Sequence, residues 1–130
     1  MTRFDNHRVV ITGAGAGIGR LMAEKLAARG AEVIVTARRI AAAREVVECI
    51  RNAGGNAHAS TLDVSKIATI ARFRDKLHEE RGPISMLINN AGVVFGGEFE
   101  QVNIGHPTRG VAAVQIVAKQ GLLRLCCPRR

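Results

Sequence analysis

The sequence predicts an α/β protein in which a parallel sheet carries helices on both faces. Short β-branched or apolar runs at Val9-Val10-Ile11, Val33-Ile34-Val35 and Leu87-Ile88 read as buried strands. Between them lie stretches whose apolar residues recur at helical spacing, and this alternation fills the first ninety or so residues with no internal repeat and no low-complexity linker. A glycine-rich turn, Thr12-Gly13-Ala14-Gly15-Ala16-Gly17-Ile18-Gly19, joins the first strand to the first helix.

In chain order, His7 to Thr12 is the first strand and Ile18 to Arg29 the first helix, with Leu21, Met22 and Leu26 as its apolar face and Gly30 as its stop. Glu32 to Thr36 is the second strand. One β-α-β unit is then complete, and its right-handed crossover makes the two strands parallel. Arg39 to Ala53 is helical, with Ala42, Val46, Cys49 and Ile50 on one side and Gly54-Gly55 ending it. Ala57 to Leu62 is a third strand. Ser65 is placed to cap a helix bearing Ile70, Phe73 and Leu77, which Arg81-Gly82-Pro83 breaks, and Ser85 to Asn89 is the fourth strand.

Composition bounds what such a chain can be. With 130 residues, 47% hydrophobic and 23% charged, it is one globular domain's worth of sequence. No apolar run reaches membrane-spanning length and residues 1–6 lack a signal peptide's apolar segment, so a cytoplasmic protein without a membrane partner is expected. Cys49, Cys126 and Cys127 show no metal-ligand spacing, so neither zinc nor a structural disulfide is expected. The net charge of +8 is concentrated at the end, where residues 106–130 hold five Lys/Arg and no acid. With four Phe as the only aromatics and no interleaved basic pattern, nucleic acid is not an expected partner.

The glycine turn carries the first chemical signal. Glycines permit positive φ and close backbone approach, and amides opening a helix attract phosphate, so strand, glycine turn and helix together read as a pyrophosphate cradle. The spacing is T-G-x-x-x-G-x-G rather than the general G-x-G-x-x-G fingerprint. At the end of the second strand stands Thr36-Ala37-Arg38-Arg39, with no carboxylate to accept ribose hydroxyls. Arginine there favours a 2′-phosphate, so NADP(H) is expected over NAD(H), with Arg38 the first candidate and Arg39 its neighbour. Asp63-Val64 ends the third strand, where a carboxylate can accept from an adenine amino group, and Asn89-Asn90-Ala91-Gly92 ends the fourth.

In this order, each at a predicted strand end, T-G-A-G-A-G-I-G at 12–19, Asp63-Val64 and Asn89-Asn90-Ala91-Gly92 resemble the short-chain dehydrogenase/reductase family over residues 5 to about 102. The resemblance implies a Rossmann-like fold and hydride transfer between a nicotinamide and an alcohol or carbonyl. It implies that Gly13, Gly17, Ile18 and Gly19 cradle the pyrophosphate, Arg38 meets the 2′-phosphate, Asp63 and Val64 the adenine, and Asn90, Ala91 and Gly92 the ribose side. It also implies a catalytic Tyr-x-x-x-Lys segment. The sequence has no tyrosine, so no catalytic residue is assigned, and loss of such an acid costs ~10²–10⁴-fold in rate. Asn103 imitates the wording of the family's catalytic Asn but follows Asn90 too closely, and Lys119 has no tyrosine to pair with.

After Phe99 the strand–helix rhythm is lost. The expected organisation is a dinucleotide-binding domain over 1–102, truncated after the fourth strand, and a divergent basic segment over 103–130 with a helix at 108–125 and a tail. The basic charge and the Cys-Cys-Pro-Arg-Arg ending point to a frameshift, altered splice or truncated gene as the source of that segment. The fourth strand is then expected to present an apolar edge that favours homo-oligomers or aggregation. Two readings follow: an oxidoreductase by descent with doubtful activity, or a non-catalytic dinucleotide-binding or partner-docking module.

Overall fold

The computed structural model describes residues 3–64 and 66–91. Seven elements follow in the order β1 (Arg8–Ile11), α1 (Gly17–Ala28), β2 (Glu32–Ala37), α2 (Ile40–Asn52), β3 (Asn56–Thr61), α3 (Ile67–Arg81) and β4 (Met86–Ile88). All strand pairs are parallel, and the sheet order is β3-β2-β1-β4. Each strand and helix expected before residue 90 is present with its ends shifted by a residue or two, and the helix expected at 108–125 lies outside the described residues. Ser65, the expected cap of α3, lies outside the described residues; the N-cap position of that helix falls at Lys66 and carries no side-chain cap bond.

Alternation along the strands divides the core between the two faces. Val9, Ile11, Val33 and Val35 point to the side covered by α1 and α2, whereas Val10 and Ile34 point to α3 and meet Ile70, Phe73 and Leu77. The central strands are buried on both faces, which is why they read as continuous β-branched runs. Each of the α3 side chains removes enough apolar surface from water to contribute about 1.5–3 kcal/mol.

Two helix faces differ from expectation. On α1 the fully buried positions are Gly19, Ala23 and Ala27, while Leu21 is 52% exposed and Met22 and Leu26 pack only in part. Small residues let α1 lie close against the sheet, and the larger side chains are displaced to its flanks. On α2 the buried positions are Ala43, Val46, Val47 and Ile50; Cys49, expected on this face, is an exposed free thiol with Arg20 Nη2 at 3.4 Å.

Candidate functional site

Parallel strands bring their C-terminal ends to one edge, and every described candidate residue stands there. The turn after β1 carries Gly13, and Gly17, Ile18 and Gly19 open α1. Arg38 and Arg39 follow β2, Asp63 and Val64 come two and three residues after β3, and Asn90 and Ala91 follow β4. Gly92, also expected here, lies outside the described residues, as do Asn103, Lys119 and the expected helix at 108–125.

The turn is held from two sides, by bonds to the ends of β4 and β2. Thr12, 1% exposed, donates its amide to Ile88 O at 3.1 Å, which continues the β1–β4 ladder by one step. Its Oγ1 accepts the backbone N–H groups of Asn90 and Ala91, both at 3.0 Å. Asn90 Nδ2 donates to Gly13 O at 3.1 Å. On the other side Ala14 N donates to Thr36 O at 2.9 Å, and the buried Thr36 hydroxyl donates to Ile11 O at 2.9 Å. Neighbouring strand ends are thus tied together by polar groups whose hydrogen bonds are made inside the protein.

Two glycines are fixed by this packing. A Cβ on Gly13 would stand 2.8 Å from Ala91 Cα, and φ there is +63°. A Cβ on Gly19 would run into the Asn90 side-chain amide and stand 2.6 Å from Gly13 O. Gly17 differs: its φ is +59°, yet nothing lies within 4 Å of where its Cβ would be. The space in front of Gly17 is open, so this position has the left-handed backbone of a tight turn and room for a ligand on its outer side.

The start of α1 is chemically bare. Ala16 occupies the N-cap in an extended conformation with no side-chain bond, and the first turn has no acidic residue. The first helical bond is Arg20 N to Ala16 O at 3.3 Å, so the amides before it point out of the helix end. Those amides and the helix dipole favour an anion. Ile18, on the same first turn, is 72% exposed. The start of α2 is equally bare, with Arg39 as an extended N-cap, no cap bond and no acid in the first turn. Arg38 and Arg39 are exposed, and neither is in an ion pair with another described residue. Asp63 and Val64 are half-buried, and Val64 packs against the α3 side of the core.

The donor set fits a dinucleotide: a glycine cradle that a Cβ would fill, an uncapped helix end for a pyrophosphate and two cations beside a second bare helix end. Thr12 was part of the legible motif but not of the predicted contacts; its work is done through a hydroxyl bonded to residues far along the chain. A threonine closing a V-V-I run is the one local signal of that role.

The sheet and its edge are those of the Rossmann-like α/β class. The family model described as short chain dehydrogenase matches residues 7–128, and the chain belongs to this family. The match runs past residue 102, where the resemblance read from the motifs ended. An uncharacterized oxidoreductase of Bacillus subtilis strain 168, YxbG, is 42% identical over 93 residues, 72% of this chain and 34% of that protein. A metagenomic short-chain oxidoreductase solved in complex with NADP is 34% identical with a TM-score of 0.79, over 95% of this chain and 56% of that one. A short-chain dehydrogenase/reductase from Burkholderia phymatum, solved with NAD, is 32% identical with a TM-score of 0.80, over 96% of this chain and 44% of that one. The chain therefore spans about a third of such a curated relative and about half of the solved ones. No helix among the described residues is long and apolar enough to cross a membrane.

Proposed function

We propose that this chain supplies the dinucleotide-binding part of a short-chain oxidoreductase and that it prefers NADP(H) to NAD(H). The observation that carries this reading is the fixed glycine turn: Gly13 and Gly19 are packed against Ala91 and Asn90, while the uncapped end of α1 and the open side of Gly17 face outward. In this reading Gly13, Gly17, Ile18 and Gly19 hold the pyrophosphate, and Asn90, Ala91 and Gly92 border the ribose next to the nicotinamide. Asp63 and Val64 border the adenine. Arg38, with Arg39 beside it, pairs with the 2′-phosphate, where a guanidinium forms bidentate charge-assisted bonds.

A bound nicotinamide would supply hydride transfer to or from a carbonyl or alcohol carbon. The residues of this chain would bind and orient it. Among the 130 residues none is a tyrosine, and this favours a second reading, in which the chain binds a dinucleotide without turnover. Calorimetric titration with NADPH and oxidation of NADPH with a panel of carbonyl substrates test the two: absence of NADPH binding removes both, turnover removes the second, and binding without turnover supports the second while agreeing with a chain that supplies the binding part alone.

A further inference from the structure

At the opposite end of the sheet from the glycine turn, the Glu32 carboxylate of β2 is shared among several elements. Oε2 accepts from Arg8 Nε of β1 at 2.8 Å. Oε1 lies 3.3 Å from His58 Nε2 on β3 and 3.5 Å from Arg81 Nη1 at the end of α3. His58 is also reached from α2, where Arg51 Nη2 stands 3.4 Å from its Nδ1. Lys76 and Glu80 of α3 line the same small cleft as His58 and stand 4.0 Å from each other.

These partners define the state of the ring. A guanidinium can only donate, so Nδ1 must carry the lone pair; a carboxylate can only accept, so Nε2 carries the hydrogen. Neutral His58 in that tautomer satisfies both neighbours. A second proton would set an Nδ1–H against the Arg51 N–H. The ring is only 22% exposed, and burial together with the Arg81 cation lowers its pKa from the ordinary 6.5, outweighing Glu32, which raises it, with Arg51 adding to the depression.

Arg51 also covers backbone. Its Nε donates to Ala57 O at 3.0 Å. Leu62 N bonds Ala37 O at 3.0 Å, and alternate residues of a parallel strand face the same neighbour, so the even-numbered residues of β3 bond to β2 and the Ala57 carbonyl lies on the strand's other side. That side is the outer edge of the described sheet. A charged side chain over such an edge hinders pairing with another chain.

We propose that His58 and Arg51 form an acid-sensitive lock on the β3 edge: neutral His58 accepts from Arg51 and keeps its guanidinium over Ala57 O, and protonated His58 releases it. Long-range ¹H–¹⁵N spectra of the full chain from about pH 8 to pH 5 test this. They should show His58 as the Nε2–H tautomer, titrating below 6.5. Below its midpoint, amide-exchange protection of His58, Ser60 and Leu62 should fall by up to about tenfold per pH unit. H58N keeps an acceptor at the Nδ1 position without titrating, and should lose this acid response; R51M should lack the protection at both ends of the range. An Nδ1–H tautomer, or an acid response that H58N retains, overturns the lock. If H58N does not fold, the tautomer and titration of the native ring decide alone.

Discussion

Thr12 Oγ1 accepts the Asn90 backbone N–H at 3.0 Å, across 78 positions of sequence. The same oxygen takes the Ala91 N–H, so the ends of β1 and β4 are locked in register at the point where the glycine turn begins. The turn is consequently set by a neighbouring strand as well as by its own glycines. Replacing the hydroxyl tests this directly. Thr12→Val keeps shape but leaves the two amides without their acceptor, and should lower unfolding free energy by about 2–4 kcal/mol. Thr12→Ser should recover most of it, with urea midpoints as the readout.

Gly19 and Gly17 should respond differently to the same added methyl. At Gly19 it meets the Asn90 amide and the Gly13 carbonyl, so Gly19→Ala should cost about 1–3 kcal/mol by overpacking and should also displace the turn. At Gly17 nothing is in the way, so Gly17→Ala carries only the left-handed backbone penalty of about 1–2 kcal/mol. Yet the methyl would stand on the side proposed for the pyrophosphate. Calorimetric titration should therefore find dinucleotide affinity reduced at least tenfold, or about 1.4 kcal/mol, in both variants. Unfolding should separate them, with Gly19→Ala the less stable.

Arg38 and Arg39 are exposed, so their removal should leave stability unchanged while altering ligand choice. Arg38→Ala should weaken NADPH about tenfold, near the lower end expected for a lost charge-assisted bond, and should leave NADH within about twofold, well under the 1.4 kcal/mol that a tenfold change represents. Arg39→Ala should act in the same direction and more weakly. Equal losses for both dinucleotides would show that the arginines do not read the 2′-phosphate.

Stability should depend on pH through His58. Its folded-state pKa is lowered, so the folded state binds fewer protons than the unfolded one between the two values. The contribution is fully present above the ordinary 6.5 and is lost as pH falls below it toward the folded value. Urea midpoints should therefore fall on acidification, and less so in H58N. Glu32→Gln would leave Arg8 and Arg81 facing a neutral amide in a site where the carboxylate is only 19% exposed, and should cost about 1–3 kcal/mol.

The fold was legible because its signals are local. Val9-Val10-Ile11 and Glu32 to Ala37 sit on both-face-buried strands whose composition announces them, and Gly30 ends α1 as its position implies, with φ at +96°. The candidate site was legible as motifs at strand ends, since parallel strands carry residues far apart in sequence to a common edge. What could not be read was pairing at a distance. Nothing near Thr12 announces Asn90, and nothing near Glu32 announces His58, Arg8 and Arg81 together. Leu21 was misplaced because helical spacing ranks a large apolar residue above an alanine, whereas close helix–sheet contact at Ala23 and Ala27 selects small ones; Cys49 was misplaced because α2 turns Val47, with Val46 and Ile50, to the core instead.

The most direct measurement is calorimetric titration of the chain with NADPH and with NADH, with Gly19→Ala as the control. Saturable binding of both, tighter for NADPH and lost in Gly19→Ala, is the predicted result. Binding of neither dinucleotide, or binding that Gly19→Ala leaves intact, would contradict a cofactor site at the glycine turn.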